Sequence, residues 1–444
     1  MSAPPRLPGL PVLGSLLDVQ RDMIQVFERA ARLGDLVELS FPGRRGFLVV
    51  HPDQVKQVLV DEHAKFGKNT AGYKALQVAL GQGLVTSQGD FWRRQRRIAQ
   101  PAFHHQRIVG FAGIMAEACE VMLGRWRALP DGAVVDVDAE LMAVTLRIVG
   151  QALMSVDLSD ETGDVAAAMT VVLRGTVHRL LHPLSPPLWV PTPRNRQLNE
   201  ALARLNHLVR SLITQRRQHG GEHGDLLDML MTARDEETGE GMTDEQLRDE
   251  VLTMVSAGHE TTANALTWTL HLLAGAPEAE ARLHAEVDEV LGGRVPTLED
   301  LPRLVYTEAV VKESLRIMPP VWMLARSVEA PVTILGHELT GPNTMVFLSP
   351  WVTQRDPRFW QDPLRFYPER FLAAEQGPKY AYFPFAGGPR VCIGNAFAMM
   401  EAKLLLASMV RGHRLATLPG HPVEPEPTIT LRPKYGLKMI LSRR

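Results

Sequence analysis

Two cysteines are all that 444 residues contain, Cys119 and Cys392, far apart and in no C-x-x-C pattern. That spacing excludes a disulfide framework and a zinc ribbon, and it fits a chain of the reducing cytoplasm. An excess of charge of one sign is missing too: 48 Lys and Arg stand against 50 Asp and Glu, a formal net charge of −2. So even a balance argues against a dedicated nucleic-acid binder. No run reaches the roughly 18 apolar residues of a membrane span. The opening MSAPPRLPGLPVLGSLL has neither the charged start nor the apolar core of a secretory signal. Internal repeats and low-complexity linkers are absent as well.

What is present is mostly helical periodicity. DMIQVFERAARLG (22–34) carries apolar residues at helical spacing and stops at Gly34. Two strand-like runs follow, LVELSF and GFLVV, across the turn PGRR. Helical segments then dominate from about 91 to 290, broken at 182–195 and 219–225, and strand signals return at APVTIL and TMVFLS. Length alone would favour two or three domains. Helices of similar character flank the Pro-rich stretch 182–195, so a single domain over 1–444 is expected, mainly α with small β-sheets. One helix is unusually long. Thr243 and Gln246 have capping-box spacing, and apolar positions recur from Leu247 to Leu270 until Gly275 and Pro277 end the pattern. About 30 residues rise roughly 45 Å, enough to cross the molecule. In its middle lies AGHETT (257–262), a glycine and a polar cluster that helix propensity does not favour.

FPFAGGPRVCIGNAFAMMEAKLLLA (383–407) sets Cys392 just before helical spacing through Ile393, Phe397, Met400 and Leu404. Zinc would need about four ligands, and no paired Cys or His lies near. A phosphatase-like nucleophile would want arginine at 398, which is alanine, and no Gly-Lys-Ser/Thr follows to make a phosphate loop. What is left is a thiolate on a metal that brings its other ligands with it. Haem iron fits, with four porphyrin nitrogens and one axial sulfur. A helix N-terminus favours the anionic sulfur. Gly387, Gly388 and Gly394 would let the loop bend tightly and bring N–H groups to the sulfur. Arg390 is placed to meet a haem propionate. Cys119, mid-helix in MAEACEVML, reads as packing.

FAGGPRVCIG resembles the F-x-x-G-x-R-x-C-x-G signature of cytochromes P450, with Phe385, Gly388, Arg390, Cys392 and Gly394 in place. The resemblance runs over nearly the whole chain. It implies the P450 fold, haem b (iron protoporphyrin IX) and Cys392 as the proximal ligand. AGHETT is similar to the family's oxygen-activation motif. That implies a small residue, Ala257, in a distorted helix beside the haem, with Glu260 and Thr261 as an acid–alcohol pair. His259–Glu260 is no zincin motif, because position 263 is alanine. By the same resemblance Trp92 and Arg96 of WRRQRR, and Arg326, lie near the haem propionates. Glu313, Arg316 and Arg370 are implied to form a buried structural ion network. Glu245 and Arg248 share the spacing of Glu313 and Arg316 and have no special role. Arg93, Arg94 and Arg97 are expected on a positive surface that attracts an acidic electron donor.

The implied reaction is monooxygenation. One atom of O2 enters a lipophilic fatty acid, terpenoid, carotenoid or polyketide, by hydroxylation or epoxidation, with electrons from a separate ferredoxin or flavodoxin. LSPWVTQRDPRFWQDP is similar to the fatty-acid and carotenoid hydroxylase groups. Substrate-facing positions are expected from Tyr73 to Leu84, near 175–195, at Val255, Ala257 and Val321 to Leu324, and near Ile429. A monomer without a membrane span or a nucleic-acid partner is expected. Three alternatives stand beside this reading: a peroxygenase, which usually lacks the acid–alcohol pair, a P450-fold dehydratase or isomerase, and a haem-binding sensor.

Overall fold

The computed structural model describes residues 3–158, 162–182, 184–219, 223–373 and 377–444. Helices make up most of them, with small sheets at the edges. The first expected helix runs Met23–Ala31, and the Asp22 carboxylate caps it by accepting from Gln25 N–H. LVELSF and the run after it pair antiparallel as Leu36–Phe41 and Arg44–Val49, turning at Gly43 with φ +67°. The break at 182–195 falls between helices Thr162–Leu181 and Pro193–His219, and the next lies between His219 and Leu226. Pro183 and residues 220–222 of these breaks lie outside the described residues.

The hairpin belongs to a mixed five-stranded sheet. Thr344–Leu348 runs parallel to Arg44–Val49, Leu324–Val328 pairs antiparallel with it, and Phe66–Gly67 takes the far edge. In that edge pairing Gly67 stands opposite Ser327. The register therefore carries Lys68 and Arg326, from distant parts of the chain, to one corner of the sheet.

The long helix runs Asp244–Ala274 without interruption. Its capping box closes in both directions: Thr243 Oγ1 accepts from Gln246 N–H at 3.2 Å, and Gln246 Oε1 accepts from Thr243 N–H at 2.8 Å. It packs on helices Val137–Met154, Pro193–His219, Val305–Ile317 and Asn395–Gly412. Neighbours on several sides explain why its apolar residues are not confined to one stripe. Among the described residues no helix is long and apolar enough to cross a membrane.

The ion network forms as the resemblance implied. Arg316 and Glu313, both fully buried, make a two-pronged pair at 2.7 and 2.8 Å, and Arg370 Nε reaches Glu313 at 3.2 Å. Arg316 also donates to the carbonyls of Gln354 and Pro363 and stacks on Trp360. Gln354 passes this order onward, because its Oε1 accepts from Phe383 N–H at 2.9 Å at the start of the cysteine loop. Glu245 and Arg248 behave differently from the matching spacing. Glu245 pairs with Arg210, while Arg248 is buried and bonds Asp249 and Asn206. Arg248 thus has a role that its spacing did not reveal.

Candidate active site

Cys392 stands two residues ahead of Gly394, the N-cap of the helix Asn395–Gly412. Its N–H donates to Phe385 O at 3.0 Å, and Val391 N–H donates to Gly388 O at 3.1 Å, which folds the loop back on itself. Phe385 packs its half-buried ring against the main apolar core. The tight bend falls on Ala386 (φ +60°) and Gly388 (φ +66°), not on Gly387 or Gly394 as the glycine pattern suggested. Gly394 contributes through its N–H, which bonds the Cys392 sulfur. The thiol is exposed, yet burial raises its pKa against the pull of that N–H and of the Arg96 charge. Both hold only if the sulfur lines an internal space walled by protein. Cys119, by contrast, is buried and inert, its thiol pushed up to about 12 by burial.

Four cations gather near this loop. Arg96, on the helix Gly89–Ala99, donates to Val391 O at 3.1 Å, beside the cysteine. Arg390 lies over the Trp92 ring at 4.0 Å and donates to Ser87 O at 3.1 Å. Arg326, buried, donates to Tyr73 Oη at 3.3 Å. Lys68 donates to Val85 O at 2.5 Å. None of the four pairs with a carboxylate among the described residues. Burial, together with the charges of Arg326 and Arg390, drives the Lys68 pKa well below its usual value, and Arg390 is lowered by burial and by Arg326. Cations that crowd and repel one another without a counter-charge are built for an anionic ligand. A haem, whose iron takes the sulfur and whose propionates take the cations, fits this donor set.

The long helix supplies the other wall. Ala257 is exposed in a stretch that is otherwise largely buried, and Thr261 Oγ1 donates to Ala257 O at 2.6 Å. The expected distortion is not seen, since the helix is regular through AGHETT. Glu260 is buried on another side, bonded to Thr430 and drawn by Arg432; burial outweighs both and raises its pKa. His259 is neutral, pushed down to about 4 by burial. The predicted residues therefore divide. Trp92, Arg96, Arg326, Arg390 and Cys392 converge on one face, Thr261 stands with Ala257, and Glu260 looks toward the C-terminal hairpin.

Arg94 and Arg97 do not form the bare positive surface expected of them. Arg94 pairs with Glu240 at 3.0 Å, and Arg97 pairs with Asp235 and Glu237 at 3.0 and 2.9 Å. Arg93 stays exposed beside Asp90. Sequence reasoning missed Lys68, because only the pairing of Gly67 with Ser327 brings it to the site, and it gave Tyr73 as substrate-facing without its bond to Arg326.

The cytochrome P450 family profile matches residues 4–440. Cyclooctatin synthase of Streptomyces melanosporofaciens is 40% identical, covering 95% of this chain and 92% of its own. Cyclooctat-9-en-7-ol 5-monooxygenase of the same organism is 38% identical, with coverage of 94% and 92%. Pentalenene oxygenase of Streptomyces avermitilis is 34% identical, with coverage of 98% and 97%. With the thiol loop and the cation cluster in place, this end-to-end likeness means that the chain belongs to the cytochrome P450 family, the haem-thiolate monooxygenases.

Proposed function

We propose that this monooxygenase acts on a terpenoid, which it hydroxylates or epoxidises at a carbon held beside Ala257 and Thr261. The single observation that carries the haem-thiolate part is the exposed Cys392 sulfur, bonded by Gly394 N–H and set among cations without counter-charge. The terpenoid part is supported by relatives named for cyclooctatin, cyclooctat-9-en-7-ol and pentalenene. When bound, haem activates O2, so that one oxygen enters the substrate while two electrons and two protons take the other to water. Cys392 would hold the iron, and Arg96, Arg326, Arg390 and Lys68 would hold the propionates. Trp92 carries Arg390 on its ring, while Gly388 and Phe385 shape the loop. Thr261 would hold a proton at Oγ1, which donates to the Ala257 carbonyl, while Glu260, its pKa raised by burial, faces the C-terminal hairpin.

Electrons come from a separate acidic ferredoxin or flavodoxin that docks beside the exposed Arg93, whose charge is felt by Arg390. Reduction by such a donor is expected to slow with salt and with Arg93→Glu, as stopped-flow spectroscopy would record.

Cys392→Ser is expected to abolish the thiolate-type spectrum of the reduced CO complex. An unchanged spectrum would mean that another residue is the ligand. A panel of cyclic terpenoid alkenes and alcohols, incubated with O2 and reduced ferredoxin, with peroxide alone, or with neither, tests the reaction. Conversion without any oxidant would overturn it. Thr261→Ala is expected to divert reducing equivalents to peroxide by several-fold, measured as peroxide per product.

A further inference from the structure

The loop from Gly81 to Gln88 links the helices Ala71–Leu80 and Gly89–Ala99 and lies with its backbone on the long helix. A Cβ on Gly81 (φ +53°) would stand 2.2 Å from both carboxylate oxygens of Asp249. One on Gly83 would meet Thr253 Oγ1 at 2.1 Å and the Asp249 carbonyl at 2.8 Å. Two amides in this stretch are gripped by buried carboxylates. Gln82 N–H donates to Asp249 Oδ2 at 2.7 Å, and Leu84 N–H donates to Glu250 Oε2 at 3.1 Å. The same loop then offers its Val85 carbonyl to Lys68 and its Ser87 carbonyl to Arg390.

We propose that Asp249 and Glu250 are positioning residues, which clamp this loop to the long helix and so fix the carbonyls that aim Lys68 and Arg390. The functional consequence rests on the haem reading above; the clamp itself does not.

The two carboxyl groups work in different states. Asp249 is paired with Arg248, which also donates to Asn206 Oδ1 on the helix Pro193–His219. Loop, long helix and a third helix are thereby tied at one point. Among the described residues Glu250 has no cation, and its Oε1 has no hydrogen-bond partner. Burial, aided by the Asp249 charge and opposed by the Leu84 amide, pushes its pKa up to about 8. At neutral pH Glu250 therefore accepts the Leu84 amide as an uncharged acid. A glutamine can replace such a group; an asparagine cannot replace Asp249 without stranding Arg248.

Amide hydrogen exchange on the full-length, haem-loaded protein tests this at a single pH of 7. Asp249→Asn and Glu250→Ala are expected to speed exchange in peptides covering 80–88 by about tenfold or more, while Glu250→Gln leaves it near the wild-type rate. The ratio of dissociation constants for imidazole and 4-phenylimidazole, read from the Soret shift, is expected to change in Glu250→Ala and return in Glu250→Gln. Wild-type protection of 80–88 in both damaging variants would overturn the clamp. So would a Gln variant as loose as the Ala variant, or loosening spread evenly over the protein. Should Glu250→Ala fail to fold, the Asn and Gln variants still decide the matter. A missing thiolate spectrum would defeat the haem reading and leave the exchange result intact.

Discussion

At Gly388 the backbone turns at a φ of +66°, and a Cβ there would stand 1.9 Å from the Leu59 carbonyl oxygen. Neither a shifted side chain nor a new rotamer can relieve a clash with backbone. Gly388→Ala is expected to cost about 3 kcal/mol or more, combining left-handed strain with overpacking, and to lower the thermal midpoint accordingly. Lys68 poses a different question at the same scale. Its side chain crowds Arg326 and Arg390, a repulsion that an arriving anion would relieve. Lys68→Met is therefore expected to leave the fold intact and to speed haem loss to apomyoglobin by about tenfold, the scale of one charge-assisted hydrogen bond. Unchanged haem retention would remove Lys68 from the propionate site.

Elements inherit their order from a few buried contacts, the Glu313–Arg316–Arg370 network among them. Glu313→Ala would leave two guanidinium groups without their carboxylate, Arg316 fully buried. A loss of about 3–5 kcal/mol is expected in chemical denaturation, with a smaller deficit when Arg316→Leu is added, because the stranded charge is then removed. Much at this scale was legible in the sequence. The long helix could be read from Thr243, Gln246 and the apolar spacing, and the cysteine loop from its local pattern, since both are written within a few turns of chain. The bend at Ala386 was not legible, because φ > 0 at alanine is imposed by the packing around it and not by propensity. Nor was the pairing of Arg94 and Arg97 with the segment 235–240, which depends on where a distant loop lands. Arg248 looked like an ordinary helical charge for the same reason.

Over the whole molecule, buried carboxyl groups give stability a pH dependence whose sign can be worked out. Glu250 and Glu401 are raised to about 8, both chiefly by burial. The folded state thus holds protons that the unfolded chain has released, and stability falls as pH rises toward 8, by up to about 1.4 kcal/mol per unit for each group. The neutral His259 acts in the opposite sense, but only below the usual histidine range. Between pH 6.5 and 8 the thermal midpoint is accordingly expected to drop, and Glu401→Gln to flatten that drop by about half. The edge pairing of Gly67 with Ser327 has a consequence in time. It joins residues about 260 apart, and the Asn69–Ser327 bond beside it spans 258, whereas the cysteine loop is complete within a dozen residues. Closing so long a span is slow, and the local loop precedes it. In a full-length chain refolding from denaturant, the Cys392 loop would accordingly form early and the corner that joins Lys68 to Arg326 last. Secure capture of the cofactor would then mark the end of folding rather than its start.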